Sequence, residues 1–256
     1  MSCSKNHPLA TRVRAAPRNR AAVNPRALAA EFIGIAFLLA AVVGSGIMAE
    51  RLFAGNAGLA LLANAVATGG ALAALILAFG PVSGAHFNPV VTLADAWQGG
   101  LSWRAVPGYG CAQIAGAVAG TALADGMFGL QPLFASHHAR AGAPMLLSEF
   151  VATFGLLSVI WGCVRSRPAA TPFAAAAYIV GAYWFIPSTS FANPAVTIAR
   201  SLTDTFAGIR PQDVAPFIVF QLGGAFAATA LFAWLSPISK TDAKAVVVAH
   251  AEAGFP

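Results

Sequence analysis

The chain has 256 residues, of which 58% are hydrophobic and 9% charged, and its formal net charge is +6. An ordinary soluble domain carries about 25% charged residues, so the composition excludes a soluble globular enzyme and a disordered chain alike. The basic excess does not point to nucleic acid, because Lys5, Arg12, Arg14, Arg18, Arg20 and Arg26 crowd the first 26 residues and read as a membrane-facing tail.

In chain order, that tail (1–26) contains no apolar stretch of the kind a cleavable signal needs. A spanning helix requires roughly 20 mostly apolar residues. Six segments satisfy this: 28–49, 58–79, 105–124, 145–164, 169–187 and 213–235. Two further stretches, Gly80 to Trp97 and Pro187 to Leu202, open with turn-forming residues and then run apolar for about ten residues. That is too short to cross a bilayer, and it suits re-entrant half-helices that line a cavity or pack inside protein. The expected fold is therefore all-α in a lipid bilayer: six transmembrane helices plus two re-entrant half-helices. One domain, 27–236, lies between the basic tail and a short mixed tail, 237–256. Cys3, Cys111 and Cys163 stand at scattered positions and give neither a disulfide framework nor a metal pattern, so no metal or cofactor is expected.

Lysine and arginine bias sets the orientation. With the N-terminus in the cytoplasm, the inside holds the six tail residues, Arg104, Arg165, Arg167, Lys240 and Lys244, which is eleven. The outside holds Arg51, Arg140, Arg200 and Arg210, which is four. Both termini are thus expected to be cytoplasmic in a multi-pass protein of the plasma (inner) membrane.

The two halves repeat each other. Ala30-Glu31-Phe32 matches Ser148-Glu149-Phe150, and His86-Phe87-Asn88-Pro89-Val90-Val91-Thr92 matches Phe191-Ala192-Asn193-Pro194-Ala195-Val196-Thr197. Gln113-Ile114-Ala115-Gly116-Ala117 matches Gln221-Leu222-Gly223-Gly224-Ala225, so the offsets are 118, 105 and 108 residues. Repeat one covers about 27–125 and repeat two about 145–236. Three spans per half is an odd number, so the second half enters the membrane inverted. An inverted repeat with a broken helix in corresponding places points to a pathway at the bilayer midplane.

Asn88 and Asn193 each precede a proline at the expected start of a half-helix, where Asn caps and Pro is favoured at the first helical position. Capping alone explains one such box. Two boxes in inverted halves, Asn88-Pro89-Val90 and Asn193-Pro194-Ala195, together with Glu31 and Glu149, resemble the aquaporin, or major intrinsic protein, family over about residues 27–236. The resemblance implies that the Asn amides donate to a passing solute and that the half-helix N-termini make the midplane positive, opposing cations and protons. It also implies a homotetramer with one pore per subunit. Backbone carbonyls of Gly84, Ala85, His86 and Phe87, and of Ser190, Phe191 and Ala192, are expected to form a ladder of acceptors opposite a greasy wall. Val90 departs from the usual Ala and adds bulk beside Asn88. A carboxylate inside a span is expensive. Glu31 and Glu149 are read as supports that accept hydrogen bonds from the re-entrant loops, against the plainer reading of helix-end residues reaching the interface.

In this family an outer constriction is made by four positions counted from the two Asn residues. Here the count gives Thr68, Gly181, Ser190 and Val196, with neither an aromatic ring nor the Arg that members nearly always carry at the last. Such a filter is expected to be wide and neutral, with hydroxyls on one side and methyls on the other. This resembles the bacterial aquaglyceroporin-like channels of arsenic-resistance operons. The solutes then implied are glycerol-like molecules and neutral trivalent arsenicals, including methylated forms. The alternative is a general water and glycerol facilitator.

Arg200, four residues after Val196, and its repeat partner Asp95 are either polar caps of the half-helix ends or vestibule groups. His137 and His138 read as solvated loop residues. A coupled transporter would need an ion-binding set in the spans beyond the two Glu, and a membrane enzyme would need a nucleophile or metal cluster. The sequence offers neither.

Overall fold

The structure, a computed structural model, describes residues 24–237, so most of both tails, including the basic residues up to Arg20 and also Lys240 and Lys244, lies outside the described residues. Eight α-helices follow in order: α1 Pro25–Leu52, α2 Ala57–Ser83, α3 Pro89–Gln98, α4 Val106–Met127, α5 Ala143–Ser166, α6 Thr171–Phe185, α7 Pro194–Arg200 and α8 Pro211–Leu235. No strand occurs among the described residues. The helices α1, α2, α5 and α8 are each long and apolar enough to cross a membrane. The fifteen residues of α6 reach only about 22 Å at 1.5 Å per residue, and a 3-10 turn, Pro168–Ala170, leads into them.

Side-chain caps and prolines set several of these starts. Asn24, Asn88 and Asn193 each accept from a backbone N–H of the first turn, and each is followed by Pro at the first helical position. Asn56 caps α2 through Leu59 N at 3.0 Å. The first half-helix begins later than its expected stretch. Residues 80–83 belong to α2, which carries Pro81 in its last turn and stops at Gly84, a left-handed residue with φ 85°.

The halves correspond helix by helix, α1 to α5, α2 to α6, α3 to α7 and α4 to α8. Each half closes by packing its first helix on its last, α1 on α4 and α5 on α8. Glycines make this approach possible. A Cβ on Gly116 would strike the Phe32 carbonyl, and one on Gly224 would strike the Phe150 carbonyl, its repeat equivalent. Small residues at helix crossings let backbones approach where lipid removes the hydrophobic drive for association. The halves join through α2 against α6, through α4 against α7 and α3 against α8, and through the contact of the two half-helices. Phe37, Val66, Phe173 and Trp234 point outward and exposed. Such an apolar exterior suits hydrocarbon and is unfavourable in water.

Candidate functional site

The centre of the molecule is organised by two buried carboxylates. Glu31 on α1 and Glu149 on α5 are both fully buried. Glu31 accepts from Ser83 Oγ at 2.6 Å, His86 N at 2.9 Å, Phe87 N at 2.7 Å and Gln113 Nε2 at 2.8 Å. Glu149 accepts from Ser188 Oγ at 2.6 Å, Phe191 N at 3.0 Å, Ala192 N at 2.9 Å and Gln221 Nε2 at 2.6 Å. Both carboxylates thus face four donors drawn from equivalent places. A buried charge is tolerated only when its lone pairs are satisfied in this way. The two glutamines also donate to Thr92 Oγ1 at 2.9 Å and Thr197 Oγ1 at 2.8 Å, tying each half-helix to the far helix of its own repeat.

Held from behind, the loops ahead of the half-helices adopt one backbone pattern twice. Ala85 and Phe87 have φ of 49°, and their equivalents Ser190 and Ala192 have φ of 54° and 48°. Thr189, at the place of Gly84, has φ 63°. A β-branched residue in the left-handed region is a true outlier, and such strain persists only where the surroundings over-determine it. Here each Glu fixes two consecutive loop N–H groups. The loops then cross-link: Asn88 Nδ2 donates to Ala192 O and Asn193 Nδ2 to Phe87 O, both at 2.8 Å. The Asn Oδ1 atoms accept from Val90 N at 3.0 Å and from Ala195 N at 3.0 Å. Each Asn is a cap and a bridge at once.

A cavity runs past this crossing. Gly84, Ala85, His86, Phe87 and Asn88 line it from one loop, and Ser190, Phe191 and Asn193 from the other. Its remaining wall is largely apolar, with Leu38 and Val42 of α1, Leu72 and Ile76 of α2, and Leu156 and Ile179 of α5 and α6. Pro89, Pro194 and Ala195 are packed behind the lining, and Val90 faces a separate apolar groove beside Leu222 and Ala225 of α8. The Ala192 carbonyl is occupied by the Asn88 amide, and the Phe87 carbonyl by that of Asn193.

Of the four expected constriction residues, Thr68, Ser190 and Val196 line the cavity. Gly181 does not: it is exposed on the outer face of α6, and Tyr183 takes the place beside Thr68. The Tyr183 hydroxyl lies 3.3 Å from Thr68 Oγ1. Two residues turn a helix by about 200°, so a count of twelve back from Asn193 lands on the wrong face. The cavity lining beside Thr68 therefore includes a ring. It also has a guanidinium close by, because Arg200 is buried and lines the same cavity. Helical side chains lean toward the N-terminus, which brings Arg200 back toward the level of Val196.

Arg200 Nε donates to Ala207 O, and its guanidinium carbon lies 3.5 Å from the Phe191 ring centroid. Arg140, in the loop between α4 and α5, approaches the same ring at 5.0 Å. It binds three carbonyls, Gly208 O at 2.7 Å, Ser188 O at 3.1 Å and Phe206 O at 3.4 Å. Burial pulls its guanidinium below the usual arginine range. Nearby, His137 donates from its backbone N to Asp204 Oδ1 at 2.8 Å and sits with Nδ1 3.0 Å from Oδ2. Those two contacts hold the Asp204 carboxyl below its usual value. At the other end, His86 Nε2 lies 3.5 Å from Asp95 Oδ2, and His86 Nδ1 lies 3.1 Å from Thr92 Oγ1. Tyr183 and Arg140 escaped the sequence reading. Ser83 and Ser188, which share the offset of 105 residues with the Asn pair, were the overlooked signal for the loop anchors.

The sequence profile of the major intrinsic protein family matches residues 19–187. The aquaglyceroporin AqpS of Rhizobium meliloti (strain 1021) is 52% identical over 210 residues, covering 82% of this chain and 90% of its own. Aquaporin NIP1-4 of Oryza sativa subsp. japonica is 34% identical over 213 residues, covering 81% and 74%. The X-ray structure of the aquaglyceroporin from Plasmodium falciparum superposes with a TM-score of 0.62 at 21% identity, covering 81% of this chain and 95% of that one, a likeness of fold.

Proposed function

We infer that this chain, which belongs to the major intrinsic protein family, is a passive transmembrane channel for small neutral solutes, with both termini in the cytoplasm and one pore in each subunit of a homotetramer. The observation that carries the reading is the pair of Asn amides crossing between the loops beside a half-apolar cavity. Each amide spends one N–H on the opposite loop and has a second to offer a solute. The apolar wall gives a solute nothing to bind, so passage requires it to be small and to carry its own hydroxyls.

Within that class we propose glycerol-like solutes and neutral trivalent arsenicals, including methylated forms. Thr68, Tyr183 and Ser190 supply hydroxyls and Val196 supplies methyls in the cavity lining, a match for a solute that carries both hydroxyls and a methyl. The Tyr183 ring and Arg200 favour the narrower reading of a water and glycerol facilitator, because both reduce the opening. Stopped-flow light scattering of proteoliposomes with water, glycerol and neutral arsenicals decides. Arsenical flux above that of empty liposomes supports the first reading, and water and glycerol flux without it supports the second. Flux that responds to an imposed ion gradient contradicts both, since a passive channel has no coupling step.

A further inference from the structure

The mouth built from residues 128–142 and 200–210 holds Arg140, Arg200 and Arg210, and its one acid, Asp204, is engaged by His137. Among the described residues, neither Arg140 nor Arg200 forms an ion pair with a carboxylate. Asp213 is engaged by Arg210 at 2.8 Å. Glu149 is surrounded by the four donors described above. Arg140 is satisfied as a donor by its three carbonyls. Arg200 is different. Only its Nε has an acceptor among the described residues, so its two terminal nitrogens remain, on a side chain 2% exposed that lines the cavity.

A second observation comes from the facing loop. Ser190 Oγ is buried, lines the same cavity and has no hydrogen-bond partner among the described residues. Its backbone is fixed by the neighbouring Phe191 N–H on Glu149, so it cannot turn away with the loop. Arg200 is equally fixed, through Ala207 O and the face of Phe191. Donors without acceptors, rigidly held in a low-dielectric chamber, are costly unless something completes them. A neutral polyol would satisfy the hydrogen bonds without forming an ion pair with the guanidinium. A guanidinium edge matches two oxygens of a planar or tetrahedral anion, and such charge-assisted pairs are the strong ones.

We propose that this chamber is an oxyanion subsite. It takes the carboxylate, or a comparable singly charged oxygen group, of a small solute, with the Arg200 terminal N–H groups and the Ser190 hydroxyl as donors. The proposal rests on the reading of the cavity as a solute passage, and it extends the solutes handled there from neutral molecules to small monoanions. Arg140, 5.0 Å from the centroid of the Phe191 ring, adds positive field. Val196, which lines the same cavity, leaves room because it is short.

Formate is the probe. Purified full-length protein is melted with rising sodium formate, with sodium gluconate at equal ionic strength as the control. The melting temperature of the wild type is expected to rise saturably with formate and not with gluconate. Arg200→Gln is expected to abolish the rise, and Ser190→Ala to raise the half-maximal formate concentration several-fold. In proteoliposomes formate is expected to slow glycerol entry through the wild type at concentrations matching the melting curve. Absent glycerol flux without formate would defeat the channel reading, while the melting curves still decide the subsite. No formate response in the wild type, or an equal response in Arg200→Gln, overturns the proposal. Should Arg200→Gln not fold, Arg200→Lys and Ser190→Ala carry the test, and wild-type formate affinity in both overturns it.

Discussion

Replacing Glu149 by Gln keeps the shape of the side chain and removes both the charge and half of its accepting capacity. The carboxylate faces Ser188 Oγ and Phe191 N on one oxygen, and Ala192 N and Gln221 Nε2 on the other, at 2.6–3.0 Å. The new amide nitrogen must face one of these pairs. On the Ser188 side the hydroxyl can rotate to accept, so one bond breaks. On the Gln221 side both partners are N–H donors, so two break. Each hydrogen bond to a charged group contributes about 1.5–3 kcal/mol. The surviving bonds fall toward about 1 kcal/mol each once the acceptor is neutral. Against this, an isolated buried carboxylate no longer has to be desolvated. The balance is a loss of about 2–4 kcal/mol, or a fall in melting temperature of roughly 5–15 °C. The assay is thermal unfolding of the purified protein in one detergent, with proteoliposome glycerol flux beside it. Glu31→Gln should behave alike, because its four donors occupy equivalent places. A Glu149→Gln protein that melts with the wild type and conducts like it would show that the carboxylate does not hold the loop.

Asn193→Asp sets a carboxylate oxygen against the Phe87 carbonyl that the amide now contacts at 2.8 Å, so poor folding or a raised cation leak is expected, and liposome leak measurements read it. A variant with normal solute flux and no leak would contradict the midplane assignment. Val196→Arg adds a third guanidinium to the chamber of Arg200 and should reduce glycerol and methylated-arsenical flux far more than water flux in stopped-flow traces, whereas equal reductions argue that Val196 is not at the constriction. Gly116→Ala and Gly224→Ala each drive a Cβ into the carbonyl of the opposing helix, so each should cost about 1–3 kcal/mol by overpacking, measured as lower melting temperature. The Asp204 carboxyl is held below its usual value of 3.8, first by the His137 backbone N–H and then by its side chain. A group depressed on folding stabilises fully above its unfolded value and loses that contribution as pH falls through the folded one. The stability difference between wild type and Asp204→Asn should therefore be constant near neutrality and shrink below about pH 4 in melting curves, and a difference that grows with acidity would reverse the assignment.

The inner framework could be read from sequence because it is written twice. Glu31 and Glu149, and Asn88 and Asn193, occur in matching order, and a carboxylate or a capped proline repeated at nearly one offset is hard to explain by local structure alone. The constriction was harder. A count of twelve back from Asn193 to Gly181 crosses residues 186–193, an irregular segment in which Thr189, Ser190 and Ala192 take left-handed angles. Sequence distance through such a loop does not measure distance along a helix, and an error of two residues exchanged an outward glycine for the inward Tyr183. Arg200, which the sequence offers either as a polar cap or as a vestibule group, lines the cavity beside Phe191, since a helical side chain leans back toward its N-terminus. Arg140 lies in a loop with no period, and only the fold brings it to Phe191.

The two halves agree at the centre and diverge at the mouths, and the pattern of divergence is itself informative. The Glu anchors, the loop dihedrals and the Asn crossing are near copies, because each loop must present the same donors and acceptors to the other. Asp95 and Arg200 occupy the same place in their repeats, each seven residues after its Asn, and carry opposite charges. Each is buried, and each has drawn local partners: His86 beside Asp95, and Phe191 with Ala207 beside Arg200. Of the two, Arg200 is the one that lines the cavity. A symmetric pore would treat both faces of the membrane alike. On the proposed reading Arg200 adds positive charge to that of the half-helix N-termini, while Asp95 is taken up by His86. The repeat builds the crossing at the centre, and the departures from it set the charges beside that crossing.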